Sequence, residues 1–332
     1  MECVPRFGKS VISRGYTDLK DVADTLSLFD LHCDTAYEMH RQNQSLETNN
    51  LAISLESARK FKRYVQVMAI WTDSKLSDEE GWIAAHQILS HLTCDDAIKK
   101  KRALLCESSE TLDPALPSLL LGLEDARILA NRAERVDALW EMGVRILTPL
   151  WKGETCIGGS HNTEIGLTDF GHLAMRRAAE RGMILDISHA SEQSAQDIFA
   201  IAEEMNRPVV ATHSNAYEVC PVSRNLRRWQ VDTILKRDGV IGLNLYTDFL
   251  CIGRKAHVAD ILPHIEFFLE QGAEDHLCLG CDMDGATMPP EIQGLSQLDR
   301  LAELLLQRNY SEDFVHKLFF ANAYRFATQF LK

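Results

Sequence analysis

The sequence predicts an α/β fold, namely a (β/α)8 TIM-like barrel formed as a single domain by residues 1–332. Eight short apolar runs alternate with longer segments of helical period, which is typical of parallel strands joined by crossover helices. No linker rich in Pro, Gly or Ser and no low-complexity tract interrupts the alternation. Eight uninterrupted strand and helix units favour a closed barrel, and an open doubly wound sheet is the alternative.

The predicted strands, in chain order, are residues 26–34, 64–71, 118–124, 144–151, 183–189, 208–213, 240–246 and 276–282. Helical period between them predicts helices that include residues 79–101, 173–181, 192–204 and 261–271. Residues 152–165 follow the fourth strand without a clear period, and a loop there would lie over the barrel mouth. We expect an N-terminal extension over about residues 1–25 and a C-terminal helix over 311–332 to pack on the barrel.

Composition limits the partners of the chain. The formal net charge of -13 leaves no basic stripe for phosphates, which argues against nucleic acid and anionic membrane surfaces. The first residues contain no apolar signal-peptide core, and no later stretch approaches about 18 uninterrupted apolar residues. Nine cysteines, an odd number, suit reduced thiols. We therefore expect a cytoplasmic protein with a small-molecule substrate. The sequence is compatible with a homodimer.

Four of the predicted strands end in residues of the types that commonly bind metals. His32 and Asp34 lie two positions apart, so both can face the barrel axis. Glu124 closes the third strand, and His189 and His213 close the fifth and sixth in phase with apolar residues. Because the carboxyl ends of barrel strands meet at one mouth, where barrel enzymes act, these five side chains predict a metal site.

The donor types indicate a catalytic centre. Imidazole nitrogen with carboxylate oxygen suits Zn²⁺, or Mn²⁺ and Co²⁺, and the absence of thiolates argues against a closed structural zinc site. Since the Glu124 carboxylate can bridge two ions, we expect two divalent metal ions, with Zn²⁺ preferred. Six other histidines fall in predicted helices without partners and are interpreted as structural: His40, His86, His91, His257, His264 and His316.

Two further residues lie where they could act on a substrate. Asp282 ends the eighth predicted strand at the mouth, and a carboxylate that is not a ligand can accept a proton from water and pass it to a leaving group. Arg224 lies in the loop after His213, and its fork of donors suits a substrate carboxylate. Asp282 is therefore the candidate proton shuttle and Arg224 the candidate substrate anchor.

The order and spacing of these residues form longer motifs, among them Asp30-Leu31-His32-Cys33-Asp34-Thr35, Gly122-Leu123-Glu124, Asp186-Ile187-Ser188-His189, Ala211-Thr212-His213-Ser214-Asn215-Ala216, Arg224-Asn225-Leu226 and Gly280-Cys281-Asp282-Met283-Asp284-Gly285. With them the chain resembles the membrane dipeptidase family, also called renal dipeptidase, of the amidohydrolase superfamily, from about Leu28 to the C-terminus.

The resemblance implies two zinc ions, one on His32 and Asp34 and the other on His189 and His213, with Glu124 as the bridge. It also implies that Asp282 shuttles the proton and that Arg224 holds the free carboxylate of a dipeptide. Renal-type members carry a His after the fourth strand that contacts the reacting carbonyl, whereas the aligned residue here is Trp151, which we therefore expect to contact the substrate. The chain also lacks the signal peptide and lipid anchor of mammalian members, so we expect it to resemble the soluble microbial branch.

The predicted function is a metal-dependent dipeptidase. It would hydrolyse the amide bond of dipeptides by a water or hydroxide that bridges two metal ions, and the resemblance implies tolerance of a D-residue at the C-terminal position. A related binuclear amidohydrolase that acts on N-acyl amino acids, lactams or cyclic amides is the alternative, and Trp151 keeps it open. A non-catalytic binding protein is disfavoured because every ligand-type residue and Asp282 are present.

Overall fold

A barrel of eight parallel strands, numbered β1 to β8 in chain order, forms the centre of the molecule. The computed structural model describes residues 26–113 and 115–331, so the expected extension over residues 1–25 lies outside the described residues. The strands are β1 Leu28–Cys33, β2 Tyr64–Ile70, β3 Ser118–Glu124, β4 Val144–Thr148, β5 Ile184–Asp186, β6 Val209–Val210, β7 Ile241–Leu243 and β8 Leu277–Leu279. A short strand, Leu104–Leu105, also pairs with β3.

Strand pairing brings the sheet round on itself. Parallel pairing joins β1 to β6 in sequence, and β8 pairs with both β7 and β1. Between β6 and β7 a single bridge joins Ala211 to Ile241, and Gly242 N donates to Ala211 O at 2.8 Å. A Cβ at Gly242 would overlap Thr212 O, so this approach requires glycine. The barrel prediction is confirmed, and the open-sheet alternative is wrong.

Helices cover the outside of the barrel. They are Thr35–Gln42, Leu55–Ala58, Asp78–Thr93, Asp96–Lys99, Glu134–Glu141, Asp169–Arg181, Glu192–Glu204, Arg228–Lys236, Thr247–Leu250, Leu262–Glu270, Asp299–Gln307, Glu312–His316 and Asn322–Phe330. Short 3₁₀ segments are Ser109–Thr111, Ala126–Leu129, Val258–Ile261 and Leu295–Gln297. The helix predicted over residues 79–101 is divided in two, because Asp95 caps a new helix through its bond to Ala97 N. Among the helices of residues 26–113 and 115–331, none combines the length and the apolar composition of a membrane-spanning segment.

Two apolar clusters occupy the two sides of the sheet. The outer cluster packs the helices against the barrel, and the inner cluster fills the lumen with residues such as Phe29, Val67 and Leu120. Phe326 and Leu331, from the C-terminal helical segment, pack on the inner cluster near the amino ends of the strands. The opposite mouth, at the carboxyl ends of the strands, stays open for polar side chains.

Candidate metal centre

The five residues with ligand-type side chains lie together at the carboxyl-terminal mouth of the barrel. His32 Nε2 is 3.6 Å from Asp34 Oδ2 and 3.6 Å from Glu124 Oε2. On the other side of Glu124, Oε1 is 2.9 Å from His189 Nε2 and 3.4 Å from His213 Nε2. The two oxygens of one carboxylate therefore face two different groups of potential ligands.

A β-bulge in β1 turns His32 toward the mouth. The pairing of β1 with β2 shifts register between Asp30 and Cys33, so regular alternation is lost there. Asp30, which regular alternation along a strand would place on the same face as His32, instead accepts hydrogen bonds from Gln66 Nε2 at 3.0 Å and from Cys281 N at 2.8 Å. Asp30 is therefore a buried structural carboxylate, and the simple two-residue period fails at this point.

The alternation of side chains along a strand also does not explain the positions of His189 and His213. The apolar residues expected to share their face pack in the outer cluster: Leu185, Ile187, Val209 and Ala211. β5 and β6 end before either histidine, and His189 has a left-handed backbone with φ of 66°. The two imidazoles reach the mouth from irregular segments beyond the strands.

The donor set fits divalent cations. Among the described residues, His32 Nε2 and Asp34 Oδ1 are buried polar atoms with no hydrogen-bond partner. Two groups of side chains have ligand atoms close enough to share an ion, namely His32 with Glu124 and His213, and His32 with Asp34 and Asp282. Buried polar atoms without partners are costly, and a cation bound by them removes that cost.

The electrostatics of the centre also favour added positive charge. Burial raises the pKa of Glu124 well above its ordinary value, and Asp34 and Asp282 raise it further. Burial alone would lower the pKa of His32, but the carboxylates of Glu124, Asp34 and Asp282 raise it to about 10. Both shifts favour bound protons in this cluster when no metal is present. A divalent cation can take the place of those protons.

Further residues hold the histidines in place. His189 Nδ1 lies 3.0 Å from Trp151 O, and His213 Nδ1 lies 2.8 Å from Thr212 Oγ1. Thr212 in turn donates to Asp186, a fully buried carboxylate. Such bonds to the outer ring nitrogen fix the imidazole and leave Nε2 for a ligand. Sequence reasoning missed Asp186, although a charge inside an apolar strand is the signal that could have found it.

Asp282 lies beside the five ligand-type residues. Its Oδ1 is 3.8 Å from His32 Nε2, and its Oδ2 accepts a hydrogen bond from Asn244 Nδ2 at 2.9 Å. Burial raises the pKa of Asp282. Asn244, which sequence reasoning also missed, comes just after β7 and fixes the orientation of this carboxylate. A carboxyl group with a raised pKa is suited to exchange protons near neutral pH.

Arg224 is buried next to the centre. Its terminal nitrogens donate to Ser214 Oγ at 2.8 Å and to His213 O at 2.9 Å, while its Nε has no partner among the described residues. The guanidinium lies 5.6 Å from the ring of Phe249, which lines the cleft. Burial lowers the pKa of Arg224 to about 10, so the side chain stays cationic at neutral pH.

A cleft of about 750 Å³ opens above these residues. Trp151 lines it and packs edge-on against Trp71, with ring centroids 5.1 Å apart, and Trp71 packs in the same way against Tyr37 at 4.9 Å. Lining residues that the sequence did not single out include Tyr37, Arg41, Trp71, Lys152, His161, Tyr246 and Phe249. They come from separate loops, and only the fold brings them together.

Comparison with known proteins agrees with this geometry. The model of the membrane dipeptidase family, peptidase family M19, matches residues 17–330. The chain belongs to this family. It is therefore a metal-dependent hydrolase of the dipeptidase class, and the predicted family and enzyme class are confirmed.

Relatives of this M19 dipeptidase include proteins known by sequence and by structure. An uncharacterized Klebsiella pneumoniae protein from the pqqA 5′ region is 31% identical over 237 residues, covering 67% of this chain and 86% of that protein. A crystal structure of an M19 metallopeptidase, dipeptidase AC, has a TM-score of 0.85 at 26% identity and covers 92% of this chain and 99% of that one. A Rhodobacter sphaeroides metallopeptidase, bound to a phosphinate mimic of L-Ala-D-Ala, has a TM-score of 0.84 at 24% identity, covering 93% and 100% of the two chains.

Proposed function

We propose that this dipeptidase cleaves the amide bond of dipeptides with two divalent ions, preferably Zn²⁺, bound by His32, Asp34, Glu124, His189 and His213. The observation that carries the proposal is the position of Glu124. Its Oε2 faces His32, and its Oε1 faces both His189 and His213. One carboxylate between two groups of donors supports two ions that share it as a bridge.

The bound ions would lower the pKa of a shared water toward about 7 and polarise the scissile carbonyl. Asp282 accepts the proton of that water while the water oxygen forms a bond to the carbonyl carbon. The C–N bond then breaks, and Asp282 returns the proton to the departing amine. Asn244, by holding Oδ2 of Asp282, leaves Oδ1 directed toward His32 and the reacting groups.

Arg224 anchors the substrate through its free carboxylate. The support is an unpaired buried Nε–H beside two donors already fixed by Ser214 and by the backbone of His213. A charge-assisted hydrogen bond to a carboxylate would satisfy that donor and set the distance from the carboxylate to the reacting amide. The substrate is therefore a short peptide whose C-terminal carboxylate lies one residue from the cleaved bond.

The test compares dipeptides with related amides on protein loaded with Zn²⁺. We expect turnover of L-Ala-L-Ala and of L-Ala-D-Ala, the dipeptide whose mimic binds the Rhodobacter sphaeroides structure. N-acetyl-alanine, a lactam and a cyclic dipeptide serve as alternative substrates, and a chelator-treated sample is the control. If one of these three is turned over faster than every dipeptide, the substrate assignment is wrong. Metal-loaded protein inert to the whole panel contradicts the catalytic proposal itself.

A further inference from the structure

The loop after β4 carries a histidine to the metal centre. Ser160 is fully buried and bridges to Ala190, and its backbone N donates to Gly153 O at 3.0 Å. The next residue, His161, donates from its backbone N to His189 O at 2.6 Å. These bonds fix the loop to the segment that bears His189, so the position of His161 is set by the same backbone as a proposed ligand.

The ring of His161 faces the cleft beside His189. The two ring centroids are 5.9 Å apart, and His161 lines the cleft. Its Nδ1 lies 3.0 Å from Ser223 Oγ, and among the described residues no hydrogen bond is made by Nε2. Ser223, for its part, makes no other side-chain bond within the described part of the chain. One nitrogen of the imidazole is therefore anchored, and the other is left for a ligand.

The hydrogen bond to Ser223 determines which ring nitrogen of the neutral imidazole carries the proton. A neutral imidazole has one N–H donor and one acceptor nitrogen. When the Ser223 hydroxyl donates to Nδ1, the ring proton lies on Nε2. The cleft then contains a neutral hydrogen-bond donor close to the metal centre.

We propose that His161 is a further catalytic residue, whose Nε2–H donates a hydrogen bond to the carbonyl oxygen of the scissile amide. The oxygen gains negative charge as water adds to the carbonyl carbon, so a donor placed in advance stabilises the transition state more than the bound substrate. His161 itself neither gains nor loses a proton in this step. The inference rests on the proposed dipeptidase function, because it assigns a role in that reaction.

The test separates this role from binding and from structure. His161→Leu removes the donor at similar volume, and His161→Gln keeps an amide donor. We expect kcat for L-Ala-L-Ala to fall by about 100-fold or more in His161→Leu, with KM within about three-fold, and to recover in part in His161→Gln. Affinity for a phosphinate dipeptide mimic should fall by a factor similar to that for kcat/KM.

Two further variants provide controls. Ser223→Ala frees the ring from its anchor, so we expect an intermediate loss of kcat. His86→Leu removes an exposed histidine in a separate surface groove and should leave kcat unchanged. Bound metal, measured by elemental analysis, should be the same in all four variants and in the wild type. The shape of the kcat pH profile between pH 5 and 9 should also be unchanged in His161→Leu, since His161 transfers no proton in the proposed step.

The outcomes are distinguishable. The proposal is overturned by an active His161→Leu with unchanged kcat, by a raised KM at unchanged kcat, or by a loss of activity that follows a loss of bound metal. The disappearance of one limb of the pH profile would show an acid or base and would equally contradict a neutral donor. If wild-type protein cleaves no dipeptide, the proposed function fails, and the role of His161 fails with it.

Discussion

The Nε2 atoms of His189 and His213 lie 3.0 Å apart, and both lie within 3.4 Å of Glu124 Oε1. Burial lowers the pKa of each imidazole well below its ordinary value, so both rings are neutral at physiological pH. Each outer nitrogen, Nδ1, already has an oxygen neighbour. Two neutral nitrogens directed at one carboxylate oxygen form a set of donors for a cation, because a metal ligand must carry a free lone pair.

Removal of metal should therefore destabilise the protein. A ligand that binds only the folded state adds about 2.7 kcal/mol at a free concentration of 100 times its Kd. We expect chelation to lower Tm by several degrees and added Zn²⁺ to restore it, with two ions per chain by elemental analysis. When Zn²⁺ is added to the Asp34→Asn variant in the same way, one of the two sites should bind the ion more weakly. An identical Tm with and without metal, or a single bound ion in the wild type, would contradict two metal sites that share Glu124.

Gly285 is predicted to be needed for metal binding. A Cβ at this position would overlap Asp34 Oδ2 and come within 2.8 Å of Asp282 Oδ1. Gly285→Ala should therefore displace the Asp34 carboxylate, lower metal content and reduce kcat. Gly122→Ala is the matched control, because its added Cβ would meet Val67 and Ile146 at ordinary distances of 3.5 and 3.7 Å. Full metal occupancy in Gly285→Ala would show that the ligands tolerate the shift.

Asp282→Asn should abolish the proton transfer while the metals stay bound. The amide has nearly the same shape but cannot accept the proton of the attacking water, so we expect kcat to fall by about 10²–10⁴-fold. Asp96→Asn, on the exposed surface, is the control for loss of one carboxylate. Near-normal turnover by Asp282→Asn at full metal content would remove this residue from the proposed mechanism.

Arg224 is predicted to recognise the substrate carboxylate. Wild-type protein should cleave a dipeptide about 100-fold better in kcat/KM than the matching dipeptide amide, since a charge-assisted hydrogen bond contributes about 1.5–3 kcal/mol. Arg224→Met should lose this preference, mainly through a raised KM for the free acid. Melting temperature and metal content are measured alongside, because Arg224 also donates to Ser214 and His213. A variant that still prefers the free acid would assign recognition to another cation of the cleft.

The barrel could be predicted from sequence because its strands are buried on both faces and read as short apolar runs between helical segments. The five ligand-type residues could be found for a related reason. Parallel strands bring their carboxyl ends to one edge, so polar residues after several strands converge whatever their separation in sequence. Neither inference requires the exact course of the backbone.

The geometry within the site could not be predicted in the same way. The bulge between Asp30 and Cys33 and the left-handed backbone of His189 interrupt the two-residue alternation of side chains. The direction in which these side chains are predicted to face depends on that alternation. Asn244 and His161 reach the centre through a strand end and a loop whose positions depend on tertiary bonds. The two-residue alternation of side chains ends where the strands end, and the candidate catalytic residues lie just beyond that point.

His264 links stability to pH through the loops beside Arg224. This fully buried ring accepts from Ala216 N at 3.1 Å through Nδ1 and lies 3.1 Å from Leu250 O through Nε2. Burial lowers the pKa of His264 from 6.5 to about 4. As pH falls through this range, the unfolded chain takes up a proton that the folded chain does not, so the free energy of unfolding falls.

The contribution of His264 to that loss is on the order of 3 kcal/mol between pH 6.5 and 4, from about 1.36 kcal/mol per unit of pKa. His264→Gln can keep both hydrogen bonds without titrating, so its urea midpoint should depend less on pH between 7 and 5 than that of the wild type. His86→Gln, at an exposed position, is the control and should keep the wild-type slope. Equal slopes in wild type and His264→Gln would mean that His264 titrates alike in the folded and unfolded chains, and that acid destabilises through other buried groups.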